Sequence, residues 1–118
     1  MQIRKTDVYA EWIDNLRDLQ GRARILVRVE RLASGNPGDV QPVGSGVSEL
    51  RIHFGPGYRV YFTQRGPDIV ILLAGGDKST QPRDIQTALQ LASVSDERAS
   101  IRSLRTFLDR SRKGADFS

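Results

Sequence analysis

The segment VSELRIHFGPGYRVYFTQR, residues 47 to 65, alternates apolar and polar side chains on either side of Gly55-Pro56-Gly57. A period of two places successive side chains on opposite faces of a strand, so the segment reads as two strands joined by a glycine-proline turn. Leu50, Ile52 and Phe54 share one face of the first strand, and Tyr58, Val60 and Phe62 share one face of the second. The other face carries Glu49, Arg51 and His53, then Arg59, Tyr61 and Thr63. If Phe54 and Tyr58 pair beside the turn, His53 lies across from Arg59, Arg51 from Tyr61, and Glu49 from Thr63. One face then covers a core. The other presents two arginines, a tyrosine and the single histidine of the chain, an inventory suited to an RNA phosphodiester.

Outward from this segment, the signals alternate between helix and strand. Gln2 to Val8 reads as a short opening strand. Asp7 is placed to cap a helix in which Tyr9, Trp12, Ile13 and Leu16 recur at helical spacing, and that spacing makes Trp12 a core anchor. A second helix is expected from about Arg22 to Ala33. Ile25, Leu26, Val29 and Leu32 form its apolar stripe, and Arg24, Arg28 and Arg31 line another side. Those arginines suit either a solvated face or a nucleic-acid contact. Ser34 to Gly46 is dense in glycine and proline and reads as a loop. Asp68 to Ala74 is apolar at both phases of the alternation, which predicts a central strand covered on both faces. Ser79 or Thr80 is placed to cap a third helix running to about Ala92, with Ile85, Leu89 and Ala92 inward. From Ser95 or Asp96 a fourth helical pattern follows through Ile101, Leu104 and Leu108. The fold class is therefore α+β: a helical hairpin packed on a mainly antiparallel sheet, with C-terminal helices. Residues 1–94 are expected to form the domain, and 95–118 a C-terminal helical extension that is either part of the same domain or a docking tail.

A chain of 118 residues with net charge +4 is one domain by length. Of its 18 basic residues only Lys5, Lys78 and Lys113 are lysine. Arginine's planar fork grips phosphates in pairs of hydrogen bonds and stacks on bases; a high-GC genome enriches arginine as well. Cysteine is absent, which fits a reducing cytoplasm. One histidine among scattered carboxylates gives no metal-ligand spacing, so neither a metal nor a cofactor is expected. No apolar run is long enough to span a bilayer, and the N-terminus lacks the apolar core of a signal peptide. Gly75-Gly76-Asp77-Lys78-Ser79-Thr80 lacks the spacing of a nucleotide-binding P-loop.

Two long words, G-D-V-x-P-V-G-x-G-V-x-E-L-R from Gly38 and G-G-D-K-S-T-Q from Gly75, resemble the RelE/ParE superfamily of toxins from type II toxin–antitoxin modules. The similarity runs from about Tyr9 to Ala92 and is greatest to the HigB-like addiction-module killer proteins. It implies a metal-independent, ribosome-dependent mRNA endonuclease that leaves a 2′,3′-cyclic phosphate. It also allows a ParE-like inhibitor of DNA gyrase, or an inactive paralogue that binds antitoxin and tunes its operon. The implied partners are a helix-turn-helix, HigA-like antitoxin, the ribosome with mRNA, and operator DNA reached only through the antitoxin.

Cleavage through the 2′-hydroxyl needs a base, charge stabilisation at phosphorus and a proton for the leaving oxygen. An unperturbed imidazole titrates at about 6.5, which suits His53 to move the proton. Arg51 and Arg59 are assigned to phosphorane stabilisation, a carry-over from basic positions in RelE-like toxins. Tyr61 is assigned to stacking or proton donation, and Lys78, Arg83 and Arg65 to the RNA backbone. The antitoxin is expected on the polar sheet face, the arginine-lined second helix or the C-terminal extension.

Overall fold

The computed structural model describes residues 1–95. β1 (Gln2–Lys5) leads to α1 (Asp7–Asp14) and α2 (Leu19–Ala33). The strands β2 (Val40–Gly44), β3 (Val47–Ile52), β4 (Tyr58–Arg65) and β5 (Ile69–Gly76) follow. A 3-10 turn (Lys78–Thr80) then opens α3 (Gln81–Ser95). The sheet has the order β1-β5-β4-β3-β2. β1 pairs with β5 in parallel, and the other ladders are antiparallel. The chain thus starts at one edge of the sheet, crosses one face through α1 and α2, and returns strand by strand from the other edge. The fourth helix expected from Ser95 or Asp96 lies outside the described residues.

Two apolar layers hold the sheet. On one face Tyr9 and Ile13 of α1 and Ile25, Val29 and Leu32 of α2 pack on the strands, against residues such as Leu50, Val60 and Leu72. The principal contacts of α1 are with β5, and α2 rests on β3 and β4. On the other face Ala88 and Ala92 of α3 pack on Val47, Tyr61, Ile71, Leu73 and Ala74. Small residues there let the helix backbone approach the strands closely. β5 is covered on both faces, as its continuous apolar run requires. A bulge opposite Tyr61 and Phe62 puts both Leu73 and Ala74 into the α3 layer. Trp12 does serve as a core anchor, meeting Tyr9 and Tyr58 at centroid distances of 6.0 and 6.3 Å.

Several expectations change. The cap of α1 is Thr6, not Asp7: its hydroxyl accepts from the Tyr9 amide (3.1 Å) and donates to the Leu73 carbonyl (2.7 Å). A hydroxyl does both at once and an ionised carboxylate can only accept, so Thr6 ends the strand and ties α1 to β5. The loop expected over Ser34 to Gly46 contains β2, paired with β3 through Val40↔Leu50, Gln41↔Glu49 and Pro42↔Ser48. Proline is tolerated there because β2 is an edge strand. The hairpin register is two residues off the expected one. Ile52 faces Tyr58, Arg51 faces Arg59 and Glu49 faces Tyr61. The connection is therefore five residues, 53–57, with Gly55 and Gly57 at φ of 57° and 81°. A shift of two preserves the faces and changes every cross-strand partner.

Candidate functional site

The face expected to lie open is roofed by α3. Glu49 is buried there among donors. It accepts from Arg51 Nε (2.9 Å), Tyr61 OH (3.0 Å) and Gln81 Nε2 (2.7 Å). Arg59 Nε stands 3.8 Å from the same carboxylate and has no hydrogen-bond partner among the described residues. Burial pushes the Glu49 pKa up, but the Arg51, Gln81 and Tyr61 donors and the Arg59 charge together hold it below the ordinary glutamate value. Tyr61 is fully buried, and burial and then the Glu49 hydrogen bond push its pKa well above the ordinary phenol. Gly76, opposite Arg59, leaves room for α3: a Cβ there would lie 1.8 Å from Asp84 Oδ2. Arg51 is the rim of this cluster, with one-third of its side chain exposed.

His53 has left the strand and stands on the α2 side. Its side chain is 71% exposed, and Nε2 lies 2.6 Å from Asp39 Oδ2. That hydrogen bond is the first cause holding the Asp39 pKa below the usual range. Arg28 of α2 fixes this corner by donating to the carbonyls of Arg51, Pro37 and Asp39. Arg24 lies over the Phe54 ring at 4.5 Å. Between α2 and the end of β3 runs a groove of about 720 Å³ that includes Arg24, Arg28, Arg31 and His53 in its walls.

The structure therefore does not gather the four predicted catalytic side chains on one open patch. Arg59 and Tyr61 are beneath α3, Arg51 is at its rim, and His53 stands past the end of β3, paired with Asp39, on whose carboxylate the Arg51 charge also acts. The physical reason is the apolar inner side of α3, which needs a partner and takes the half-polar sheet face. The predicted RNA-backbone residues also separate. Lys78 runs over the hairpin turn, where a Cβ on Gly57 would meet its Cγ at 3.1 Å. Arg83 is exposed, 3.7 Å from Asp84. Arg65 is at the far end of β4, donating to Thr63 Oγ1 and the Ala92 carbonyl, and fastens α3 to the sheet. Among the described residues no group of three or more His, Asp or Glu is placed to hold a metal ion, and no helix is long and apolar enough to cross a membrane.

Residues 11–94 match the family described as phage-derived protein Gp49-like (DUF891). This chain belongs to the Gp49-like family. The family is related to the toxins of toxin–antitoxin modules. An uncharacterized protein of Haemophilus influenzae is 47% identical over 92 residues, covering 78% of this chain and 93% of the relative. The Gp49-like segment includes every candidate site residue, from Asp39 to Arg83. Within it, sequence reading missed Asp39 as the partner of His53, because the two come together only when β2 forms. Alternation places Glu49 on the polar face of its strand but does not mark it as the hub of a buried network. The signal was present: a glutamate inside an apolar strand must find donors once the strand is buried.

Proposed function

We propose that this Gp49-like protein is the toxin of a type II toxin–antitoxin module, with a RelE/ParE-like fold, and that it arrests growth by cutting mRNA on the ribosome. The observation that carries the reading is the Asp39–His53 couple beside the hairpin, with Arg51 held by Glu49 two residues away. With Nε2–H donating to Asp39, Nδ1 is the nitrogen left to exchange a proton with RNA. In the proposed step the 2′-oxygen attacks phosphorus as its proton leaves. The P–O5′ bond breaks, and the 5′-oxygen takes up a proton. The products are a 2′,3′-cyclic phosphate and a 5′-hydroxyl. The Arg51 guanidinium, aimed by Glu49, stabilises the charge that develops on phosphorus. Arg59 lies behind it and adds positive potential rather than a direct contact. The proposed partners are an antitoxin of helix-turn-helix type, through which alone operator DNA is reached, and the ribosome with its message.

The test is induction in cells without the neighbouring gene, followed by mapping of transcript ends. Growth arrest with cyclic-phosphate-ended fragments is expected. His53→Gln and Arg51→Ala are expected to slow cutting by on the order of 10²-fold or more. Arrest without new transcript ends rejects the nuclease and leaves the toxin. Normal growth rejects both.

The burial of Arg59 and Tyr61 favours a second reading, inhibition of DNA gyrase by surface contact, which needs no proton transfer. It predicts that toxicity survives His53→Ala and that purified protein slows gyrase supercoiling.

A further inference from the structure

We propose that the groove between α2 and the end of β3 seats an acidic amphipathic helix of a partner protein. Ala23, Val27, Ile52 and Phe54 give it an apolar floor, and Arg24, Arg28 and Arg31 give it a basic rim, with no carboxylate lining it among the described residues. The apolar surface continues along the outside of α2. Leu19, Leu26 and Val27 are 70%, 44% and 47% exposed, with Leu19 two helical turns before the other two. This exposed side carries no core residue, since Ile25, Val29 and Leu32 already face the sheet.

The chemistry of the rim selects the occupant. Arg28 is spent on three backbone carbonyls and holds the groove's shape. Arg24 is stacked on Phe54, its charge beside an apolar ring. A phosphate backbone needs several forks free to grip it and gains nothing from an apolar floor. A helix with apolar side chains at i, i+3 or i+4 and i+7 fills such a floor, and flanking glutamates or aspartates meet the arginines. Among the described residues, the polar face of the β3–β4 hairpin, also expected to draw an acidic segment, is occupied by α3. The inference deepens the toxin reading and rests on it for the partner's role: the partner is the antitoxin, and its helix lies against His53.

The experiment titrates the full chain with a synthetic helical peptide of about 18 residues, carrying leucines at that spacing and glutamates beside them. A lysine-flanked twin and a single-stranded oligoribonucleotide serve as comparisons. The acidic peptide is expected to bind, to shift the amide signals of His53 and Phe54, and to lose about tenfold or more in affinity in Val27→Asp and again in Arg24→Glu/Arg31→Glu. Val27 is exposed, and melting curves verify that each variant folds. Failure of the acidic peptide to bind, equal binding of the lysine twin, or indifference to both variants overturns the proposal. So does binding of the oligoribonucleotide alone, in a manner that Arg24→Glu/Arg31→Glu abolishes and Val27→Asp does not. Induction separates the two readings. Peptide binding with unimpaired growth keeps the groove and removes the toxin, and growth arrest without peptide binding does the reverse.

Discussion

Glu49 is a carboxylate sealed from water with two guanidiniums, a phenol and an amide around it. Removing it leaves Arg59 buried without its ion-pair partner. Glu49→Ala is expected to cost about 3–5 kcal/mol, measured by denaturant unfolding. Its acid dependence follows in sign. A carboxylate held below its ordinary value of 4.5 contributes stability above that pH, and the contribution is lost as pH falls through the lower folded value. Asp18 and Asp39 shift the same way. Thermal melts should therefore fall below about pH 4.5, and less steeply in Glu49→Gln. At the alkaline end Tyr58 is pushed up to about 12 by burial and by its bond to Asp18. Its contribution is present below pH 10 and lost as pH rises towards 12, so Tyr58→Phe should reduce the alkaline loss. At this scale the sequence told which residue types would meet but not which atoms. His53 and Arg51 are two positions apart, and the alternation put them on one face. The strand ends at Ile52, and the imidazole leaves with the turn.

α2 is anchored at its start by a side chain that also reaches the sheet. Asp18 accepts from the Gly21 amide at the start of α2 (3.0 Å) and from Tyr58 OH in β4 (2.7 Å). Asp18→Ala should lower the melting temperature through loss of the cap, and Tyr58→Phe should lose its own effect in that background, a coupling readable in a double-mutant cycle. α1 meets the sheet through Trp12 over Gly75, where a Cβ would lie 2.2 Å from the indole. Gly75→Ala should displace α1 and cost on the order of 1–3 kcal/mol, with a red shift in Trp12 fluorescence. The helical periods and the long strands were legible from apolar spacing. β2 was not, because glycine and proline mask a strand whose pairing is visible only from β3.

Over the whole molecule, β1 and β5 are far apart in sequence and adjacent in space, joined in parallel from Gln2↔Ile69 to Lys5↔Leu72. Deleting residues 1–5 would expose the edge of the apolar β5. That truncation should aggregate on light scattering at concentrations where the full chain stays dispersed. The division between what is local and what is not runs through the candidate site as well. Alternation and helical spacing, properties of covalent geometry, determined the elements other than β2, their faces and the apolar core on the α1–α2 side. Only tertiary structure decided that α3 would cover the second face, that the hairpin would pair two residues off the nearest register, and that Asp39 would reach His53. Those outcomes depend on which apolar surface finds a partner and how closely it packs, and the strand's own period says nothing about either.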